Sequence, residues 1–456
     1  MIRSLSFKGE KVGVFGLGQS GLSSVRSLEA GGASVFAWDD NLVSTTSPEI
    51  PLENLYKIDL NSFKSLVVAP GVPFSHPEPH PLIKKAKDAN VEIIGDIELF
   101  GRARGKLPEH IVVGITGTNG KSTTTELLAH VLKGCNFPTM ASGNIGLPVL
   151  EQEPLPAGGV YVFELSSFQL DLTTSLNPEY AILLNINPDH LDRHGDMDGY
   201  IKAKMRLFDM QDKAGKVILN IDDDISKTLM SDEKPNITPI SVKEPVENGF
   251  YIESGNIFES LGPNLIDLGK IPENNNLLGE HNWQNMLSVI AVARSLGANA
   301  GQVFEAIESY KGLEHRLETV GEKSGVKFIN DSKATNSAAT SKGLEAFANV
   351  YWIAGGEFKE ENLEGLNESL DSVKKGYFIG RDADQFLNWA SGKIPCVKAG
   401  DLDLAVTKAF NDALSEGGGD VLLSPACASY DQFKNYQERG VAFKTLAFKI
   451  IERATA

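Results

Sequence analysis

Residues 114–124 decide how the middle of this chain folds, and they read Gly-Ile-Thr-Gly-Thr-Asn-Gly-Lys-Ser-Thr-Thr. An apolar run just before them predicts a strand that enters a glycine-rich turn, and Lys121 and Ser122 then begin an amphipathic helix. Backbone N–H groups of such a turn bind phosphate oxygens, the lysine neutralises their charge, and the serine hydroxyl can ligate Mg²⁺. The stretch is a variant of the nucleoside triphosphate loop, because Ile115 stands where the strict pattern has glycine and Gly114 comes one place earlier.

Length and composition limit the classes of protein that this chain can belong to. With 456 residues it is too long for one core, so we expect two to four domains. The net charge of −17 argues against nucleic acid and anionic membrane surfaces as main partners. The cysteines, Cys135, Cys396 and Cys427, form neither a disulfide framework nor a metal-binding spacing. Since the sequence also lacks an apolar leader and an 18-residue apolar run, we expect a cytoplasmic protein without membrane insertion.

Strand and helix patterns alternate in three α/β segments, and we expect three domains over residues 1–106, 107–312 and 313–456. The polar residues 101–109, with Gly and Pro, predict a linker. The first and third segments indicate Rossmann-like, doubly wound domains, and the second a P-loop domain with a mostly parallel sheet. In the third segment, strands end at Gly355-Gly356, Gly380 and Ser424-Pro425, which should line one crevice.

The stretch Gly16-Leu17-Gly18-Gln19-Ser20-Gly21 follows a strand and begins a helix, and Asp39 comes roughly twenty residues later. This pattern is typical of a dinucleotide-binding turn and on its own points to NAD. The phosphate loop downstream supplies a second nucleotide site, so a ligase acting on a nucleotide-linked substrate fits at least as well as an oxidoreductase. A purely structural glycine turn is the remaining alternative.

Candidate metal ligands follow two apolar strands of the second segment. Glu164 comes directly after residues 160–163, where a carboxylate is usually solvated or paired but, beside a phosphate loop, can bind Mg²⁺. His190 lies in the run Asn-Pro-Asp-His-Leu-Asp at residues 187–192, just beyond a second strand. That position favours a metal or substrate role for His190 over a structural one.

Lys204 is a lysine in an apolar setting. On the helix predicted over residues 197–208, positions 197, 201, 205 and 208 form an apolar stripe, and Lys204 falls inside it. Such a side chain can simply extend its ammonium group to the surface. A buried lysine instead has a lowered pKa, which leaves the amine nucleophilic enough for covalent modification.

Two further groups of polar side chains suit a nucleotide. The run Glu-His-Asn-Trp-Gln-Asn at residues 280–285 leads into a helix predicted near residues 283–295, so Asn282 and Asn285 can contact a purine edge, although an N-cap role for Asn282 is the ordinary alternative. Arg316, and the run Asn-Asp-Ser-Lys-Ala-Thr-Asn at residues 330–336, gather charge at the start of the third segment. So dense a run after a strand is unlike a scaffold turn.

With these motifs in order, the chain resembles the Mur ligases, the ATP-dependent amide-forming enzymes of peptidoglycan precursor synthesis. The likeness covers nearly the whole chain. Besides the motifs above it rests on Gly-Asp-Ile-Glu-Leu-Phe at residues 95–100, Gly-Asn-Ile-Gly-Leu-Pro at residues 143–148 and Ser-Pro-Ala-Cys-Ala-Ser-Tyr-Asp-Gln-Phe-Lys at residues 424–434. The last two are specific to the family member that adds D-glutamate.

The resemblance implies three domains that bind UDP-N-acetylmuramoyl-L-alanine, ATP and D-glutamate, together with two Mg²⁺ ions, and we expect a monomer. In the family, ATP phosphorylates the substrate carboxylate, the amine of the amino acid attacks the acyl phosphate, and phosphate leaves. The protein then contributes mainly charge neutralisation and positioning.

The resemblance also implies a role for each candidate residue. Lys121, His190 and Lys204 would be catalytic. Ser122 and Glu164 would ligate one Mg²⁺, and His190 and a carbamylated Lys204 the other. ATP would contact Gly117, Thr118, Asn119, Gly120, Lys121, Ser122, Thr123, Asn282, Asn285, Arg316 and Asp331. The UDP substrate would contact Gly18, Gln19, Ser20, Gly21 and Asn144, and D-glutamate would contact Lys333, Thr335, Lys359, Ser429 and Tyr436.

One position departs from the family pattern. In the family, Thr-Arg often follows the aspartate that corresponds to Asp39 and grips the UDP group, whereas this chain has Asp40-Asn41. An acidic side chain cannot replace an arginine on a diphosphate. Backbone amides around residues 19–21 should therefore bind the diphosphate.

Other functions remain open from the sequence. Another Mur ligase, or a folylpolyglutamate synthase, would share the phosphate loop and the modified lysine, but the synthases lack a comparable N-terminal nucleotide-sugar domain. An NAD-dependent oxidoreductase would leave Lys121, Glu164 and Lys204 unexplained. A nucleotide-binding regulator without turnover would release no phosphate.

Overall fold

The computed structural model describes residues 1–41, 51–230, 236–358 and 363–452. These residues form an α/β protein with three mostly parallel sheets. They divide into two compact units, Met1–Lys311 and Gly312–Ala456. Among the described residues, no helix combines the length and the apolar character that a membrane crossing needs.

In the described residues, the first sheet has four parallel strands in the order β2-β1-β3-β4. They are β1 (Lys11–Phe15), β2 (Ser34–Trp38), β3 (Ser65–Val68) and β4 (Glu92–Ile94). The helices of this part are α1 (Gln19–Ala30), α2 (Pro81–Asp88) and α3 (Asp96–Ala103).

The linker predicted over residues 101–109 is wrong for most of its length. Helix α3 continues to Ala103, and a 3₁₀ turn follows at Arg104–Lys106. The guanidinium of Arg104 is held by the backbone carbonyl of Leu176 and, at 2.8 Å, by the carboxylate of Glu179. Polar side chains here make long-range contacts that a count of Gly, Pro and charged residues does not show.

The second sheet has nine strands within the described residues, in the order β13-β12-β11-β10-β9-β8-β5-β7-β6. They are β5 (His110–Thr116), β6 (Thr139–Gly143), β7 (Gly159–Glu164), β8 (Tyr180–Leu183), β9 (Lys216–Asn220), β10 (Ile237–Ser241), β11 (Phe250–Glu253), β12 (Asn256–Leu261) and β13 (Asn264–Lys270). Neighbours from β6 to β11 pair parallel, and β11, β12 and β13 pair antiparallel. Its helices are α4 (Lys121–Gly134), α5 (Ser167–Asp171), α6 (Leu191–His194), α7 (Met197–Asp209), α8 (Asp224–Thr228), α9 (Glu280–Ser295) and α10 (Ala300–Ser309).

The two faces of this second sheet bury different helices, because strand side chains alternate between faces. Val113 and Ile115 of β5 lie in one cluster with residues of α4 and α9, while Val112 lies in another with Leu207 of α7. The cluster of Val112 continues to residues of the first sheet, such as Val14. The first two sheets therefore share one hydrophobic core within the first unit.

The C-terminal unit contains the third sheet, with strand order β14-β15-β19-β16-β17-β18 in the described residues. Its strands are β14 (Glu318–Lys323), β15 (Val326–Asn330), β16 (Val350–Gly355), β17 (Val373–Ile379), β18 (Cys396–Gly400) and β19 (Gly419–Leu423). β14 pairs antiparallel with β15, and the other neighbours pair parallel. The helices are α11 (Ser337–Glu345), α12 (Ala383–Ala390), α13 (Leu402–Ser415) and α14 (Tyr436–Glu452), with α13 and α14 in one core cluster and α11 and α12 in the other.

Candidate functional site

The glycine-rich turn between β5 and α4 is held on two sides. Gly120 has φ +82°, and a Cβ there would lie 2.5 Å from Oδ1 of Asn285, so no other residue fits without a shift. Asn185, just beyond β8, accepts a hydrogen bond from Thr118 N on its backbone oxygen at 2.9 Å and one from Asn119 N on Oδ1 at 2.8 Å. The backbone of the turn is therefore fixed by protein contacts alone.

Two lysine ammonium groups converge on one carbonyl of this turn. Nζ of Lys204 donates to the oxygen of Gly117 at 2.7 Å, and Nζ of Lys121 donates to the same oxygen at 2.9 Å. Lys204 is 2% exposed, and its ammonium lies 4.4 Å from the ring centre of Tyr200. Burial, and secondly the charge of Lys121, lowers the pKa of Lys204 to about 7. Lys204 is thus buried, as one of the two sequence interpretations required, and does not reach the surface.

The buried face of α7 differs from the predicted stripe. Helix α7 buries Tyr200, Ala203, Lys204 and Leu207 as well as Phe208, whereas positions 197, 201 and 205 are partly buried. The stripe is one edge of a wider face, because α7 packs on the central sheet and beside the glycine-rich turn. Lys204 consequently lies near the middle of the packed face.

Glu164 ends β7 with a carboxylate that is only half satisfied. It is 1% exposed, and its Oε1 accepts a hydrogen bond from Nδ2 of Asn144 at 2.8 Å. Oε2 is buried and has no hydrogen-bond partner among the described residues. An unpaired buried carboxylate oxygen is costly, and a hard divalent cation is the kind of ligand that satisfies it. Because β7 pairs with β5, this oxygen lies at the strand end that enters the glycine-rich turn.

Within the part of the chain that the structure describes, acidic and histidine side chains alone do not supply the ligands for a cation at this place. Among the described residues, no three His, Cys, Asp or Glu side chains come together as metal ligands. Further oxygens must come from a hydroxyl, such as that of Ser122 in the first turn of α4, from a modified lysine or from bound phosphate. The donor set around Glu164 thus fits Mg²⁺ held jointly with a nucleotide.

His190 precedes α6 in a left-handed conformation, with φ +51°. Its ring is about half exposed and packs against Phe168 at a centroid distance of 5.0 Å, and its Nε2 lies 3.5 Å from Oδ2 of Asp189. Non-glycine residues in this conformation are strained and are frequent at functional sites. The imidazole of His190 is therefore presented to solvent beside an acidic side chain.

His194 and Tyr200 form an aromatic pair beside the turn between β5 and α4, and the sequence did not predict this pair. The ring of His194 packs on Tyr200 at 5.4 Å, and the Tyr200 hydroxyl lies 3.2 Å from Oγ1 of Thr118. Nε2 of His194 contacts Oγ of Ser167 at 2.9 Å. Burial, with Lys204 as the second cause, lowers the pKa of His194 to about 4, so the ring is neutral at physiological pH. The run of Asp and His at residues 189–194 was the available signal.

Helix α9 brings the two predicted asparagines to the same turn. Asn285 lies against Gly120, and its Nδ2 donates to Oδ1 of Asn282 at 3.3 Å. The prediction that Asn282 precedes the helix is wrong, because α9 begins at Glu280 after Gly279, whose φ of +91° suits glycine. Asn282 is consequently in the first helical turn and is not the N-cap.

The first glycine-rich turn, between β1 and α1, has a different surrounding. Asp39 Oδ2 accepts a hydrogen bond from Leu17 N at 2.6 Å. A Cβ on Gly21 would lie 1.8 Å from the oxygen of Gly16, whereas a Cβ on Gly18 would meet nothing within 4 Å. Gln19 and Ser20 are the first residues of α1, so their amides lie at its N-terminus, where an anion is favoured.

Asp40 is engaged by neighbouring side chains. Its Oδ1 accepts from Nε1 of Trp38 at 2.9 Å, its Oδ2 accepts from the hydroxyl of Tyr56 at 2.7 Å, and Nε2 of His80 lies 3.4 Å from Oδ2. The carboxylate thus joins a side chain of β2 to side chains of the turn at Tyr56 and of the start of α2.

In the C-terminal unit, the predicted residues gather at the carboxyl ends of β15 and β19. Asp331 N donates to the oxygen of Leu423 at 2.8 Å, and the hydroxyl of Ser424 donates to Asp331 Oδ2 at 2.8 Å. Burial raises the pKa of Asp331 to about 6, against the lowering effect of Ser424. Lys333 and Thr335 follow in the same loop, Ser429 is buried beyond β19, Tyr436 begins α14, and Arg316 precedes β14. Lys359 lies outside the described residues.

The three strand-end turns expected to share a crevice do come together. Gly355 N donates to the oxygen of Pro425 at 2.9 Å, and a Cβ on Gly380 would lie 2.9 Å from Cα of Gly356. Arg439, which the sequence analysis missed, is buried beneath them and donates to Ser332 and Cys427.

Family models match two parts of the chain: "Mur ligase MurD-like, N-terminal domain" covers residues 10–95, and "Mur ligase middle domain" covers residues 115–293. Among curated relatives, the UDP-N-acetylmuramoylalanine--D-glutamate ligase of Caulobacter vibrioides (strain NA1000 / CB15N) is 42% identical over 455 residues and 97% of both chains. The enzyme of the same name from Paramagnetospirillum magneticum (strain ATCC 700264 / AMB-1) is 42% identical over 454 residues and 98% of both chains.

Solved structures agree in fold. The UDP-N-acetylmuramate-alanine ligase MurC of Thermotoga maritima aligns with a TM-score of 0.56 at 18% identity, over 98% of this chain and 100% of that one. The MurF ligase of Thermotoga maritima in complex with ADP aligns with a TM-score of 0.52 at 17% identity, over 99% and 98% of the chains. With identities this low the structures bear on fold alone, but the near full-length matches at 42% decide the family: this chain belongs to the Mur ligases.

Proposed function

We propose that this chain joins D-glutamate to UDP-N-acetylmuramoyl-L-alanine in an ATP-dependent reaction of peptidoglycan precursor synthesis. An acyl phosphate forms on the substrate carboxylate, the amine displaces phosphate, and ADP and phosphate are released. The observation that carries the proposal is the convergence of Lys121 and Lys204 on the turn beside the unpaired carboxylate oxygen of Glu164. The near full-length identity to ligases of that name supports the choice of substrates.

Charge neutralisation at the triphosphate is the contribution of the central sheet. The amides of Gly117, Thr118, Asn119 and Gly120, with Ser122 and Thr123, face the phosphates at the N-terminus of α4. Lys121 leaves its carbonyl partners and pairs with phosphate oxygens, which lowers the cost of transferring the terminal phosphoryl group. Asn282 and Asn285 contact the nucleotide from α9. Arg316 and Asp331 are further candidates for nucleotide contacts.

Mg²⁺ would supply neutralisation of phosphate charge, and the residues suited to hold it are Ser122 and Glu164 for one ion and His190 and Lys204 for the other. Glu164 fits because its Oε2 lacks another partner among the described residues. As an ammonium, Lys204 cannot serve. We therefore assign it a carbamate, formed when the neutral amine attacks CO₂ and a proton is released.

The setting of Lys204 favours this modification. With a pKa of about 7, roughly half of the side chains carry a neutral amine at neutral pH, compared with well under 1% for a solvated lysine. Incubation with ¹³C-labelled bicarbonate should give a carbamate carbon signal by NMR that declines as the pH falls from about 8 to 6. If the wild type shows no such signal and its spectrum matches that of Lys204→Ala, the carbamate assignment is contradicted.

We assign one substrate to each of the three predicted domains. Residues 1–106 take the UDP substrate through Gly18, Gln19, Ser20 and Gly21, with Asn144 at its muramoyl-alanine end. Residues 107–312 take ATP, and residues 313–456 take D-glutamate through Lys333, Thr335, Lys359, Ser429 and Tyr436. The enzyme works in the cytoplasm as a monomer.

The test is phosphate release from ATP with UDP-N-acetylmuramoyl-L-alanine and a panel of amino acids. D-glutamate should support turnover, and L-glutamate should support hardly any. Preference for L-lysine or a diamino acid would point to another member of the family. If no amino acid supports phosphate release and NAD protects the protein thermally, the result would favour an oxidoreductase over a ligase.

A further inference from the structure

The guanidinium of Arg193 binds the loop that connects β3 of the first sheet to α2. Arg193, in the short helix α6, donates from Nη1 to the oxygen of Gly71 at 3.2 Å and from Nη2 to the oxygen of Val72 at 3.1 Å. The same group lies 4.5 Å from the ring centre of Phe168. One planar cation therefore joins two loop carbonyls of the first sheet to an aromatic ring of the central part.

The loop that Arg193 binds packs against the first glycine-rich turn. Ala69 follows β3, and its N donates to the oxygen of Phe15 at 3.0 Å. A Cβ on Gly16 would lie 2.7 Å from Cβ of Ala69, so the two loops touch. A displacement of the carbonyls at positions 71 and 72 would accordingly shift the backbone at Gly16, where the turn begins.

The other end of the contact reaches the phosphate loop. Phe168, beneath the guanidinium, packs on His190 at 5.0 Å and stacks on His194 at 5.4 Å with an interplanar angle of 10°. His194 packs on Tyr200, whose hydroxyl lies 3.2 Å from Oγ1 of Thr118. Continuous contacts thus run from Arg193 to the turn between β5 and α4.

A second close approach lies beside the first. Gly195, directly after α6, has φ +87°, and a Cβ there would lie 3.0 Å from Nε2 of His76. His76 belongs to the same connection between β3 and α2 as Gly71 and Val72. The loop of the first sheet is therefore held on α6 at two points.

We propose that Arg193 is a positioning residue for the ligase reaction, which fixes the spacing between the first glycine-rich turn and the phosphate loop. The inference rests on the proposed function, in which one substrate is bound at its nucleotide end by the first turn and reacts at its carboxylate beside the second. A substrate that spans two loops reacts fast only when their separation suits its length. Arginine suits this task better than lysine, because its rigid fork reaches both carbonyls at once.

The test compares Arg193→Met with Arg206→Met. Arg206, in α7, also donates to two loop carbonyls, those of Leu170 at 2.8 Å and Thr173 at 3.0 Å, but both belong to the central part. Arg193→Met should raise KM for UDP-N-acetylmuramoyl-L-alanine roughly tenfold or more and lower kcat, with KM for ATP changed less than about twofold. Arg206→Met should leave KM for the UDP substrate within about twofold. Arg193→Lys should recover part of the loss, since an ammonium reaches one carbonyl.

Hydrogen exchange of the unliganded protein supplies a readout that does not depend on activity. Amides in residues 69–76 should exchange at least about threefold faster in Arg193→Met than in the wild type and in Arg206→Met. If the wild type releases no phosphate but the exchange difference appears, the proposed function fails and the tie between the loops stands. If the wild type is active and Arg193→Met leaves both KM for the UDP substrate and the exchange of residues 69–76 unchanged, the positioning role is refuted.

Discussion

The two glycine-rich turns of this molecule, one after β1 and one after β5, share a strand–turn–helix design but differ in the charges around them. In the second turn, Lys121 and the buried Lys204 donate to the same carbonyl, that of Gly117. In the first turn, the contact described comes from a carboxylate, since Asp39 Oδ2 accepts a hydrogen bond from Leu17 N at 2.6 Å. Both turns offer amides to an anion, but the second adds two lysine side chains, of which Lys204 is buried.

The difference suggests what each turn can bind. A triphosphate that must transfer a phosphoryl group needs strong neutralisation in a dry place, where each charge acts over a low dielectric. A diphosphate that is only held can rely on backbone amides, and an aspartate near the turn is suited to hydroxyl groups of a ribose. The glycine pattern alone would not distinguish the two; the side chains brought from other strands do.

The largest expected effect tests the buried lysine beside the second turn. Lys204→Ala should reduce kcat roughly a thousandfold, because it removes the group assigned to a metal ion beside the transferred phosphoryl group. Short carboxylic acids should restore part of the rate by supplying the missing oxygens. Lys202→Ala is the matched control, since Lys202 is exposed on the same helix, and it should keep near wild-type turnover. A Lys204→Ala variant as active as Lys202→Ala would leave Lys204 without a catalytic role.

A second pair of variants separates structural from binding glycines in the first turn. Gly21→Ala places a Cβ 1.8 Å from the oxygen of Gly16, so it should lower the free energy of unfolding by about 3 kcal/mol or more. Gly18→Val meets no atom within 4 Å of its Cβ and should fold normally. It should nevertheless raise KM for the UDP substrate at least about tenfold, because the side chain blocks the phosphates. Denaturant titration and kinetics measure both, and normal binding by Gly18→Val would mean that the diphosphate lies elsewhere.

The unfolding free energy should depend on pH through His194, which belongs to the aromatic pair of His194 and Tyr200 beside the second turn. The pKa of His194 is about 4 in the folded chain and near 6.5 when unfolded, so the unfolded state takes up the proton first as the pH falls. Relative to His194→Phe, the wild type should lose about 2 kcal/mol of unfolding free energy between pH 7 and pH 5. Guanidinium titrations at the two pH values measure the difference. Equal losses in both proteins would show that His194 does not stay neutral in the fold.

The smallest effects concern the two aspartates at the end of β2. Asp39→Ala removes an acceptor from Leu17 N, so it should raise KM for the UDP substrate by roughly tenfold or less. Asp40→Ala should change that KM by less than about threefold, because the loss of contacts to Trp38 and Tyr56 is offset by relief of repulsion, worth about 1 kcal/mol. A larger loss in Asp40→Ala than in Asp39→Ala would show that Asp40 is itself a ligand.

The sequence predicted the parts of the site that follow from local chemistry. The order strand, glycines, Lys121 and helix specifies the phosphate loop, because each piece is fixed within a few residues of the next. Lys204 could be singled out because a lysine in an apolar stripe is unusual at helical spacing. The helical course of residues 101–106 was not predicted, since the contacts of Arg104 with Leu176 and Glu179 join residues more than 70 positions apart.

Short-range pattern and residue chemistry are enough to predict the fold class and the two glycine-rich turns, and to name candidate ligands. Three other facts are visible only in the folded chain: Lys204 is buried with its ammonium on Gly117, one oxygen of Glu164 lacks a partner among the described residues, and Arg193 reaches the loop of Gly71. Those facts depend on which strands lie side by side and how helices pack on them. Burial and pairing set the pKa values and the unmet hydrogen-bonding capacity, and these arise when distant parts of the chain pack together.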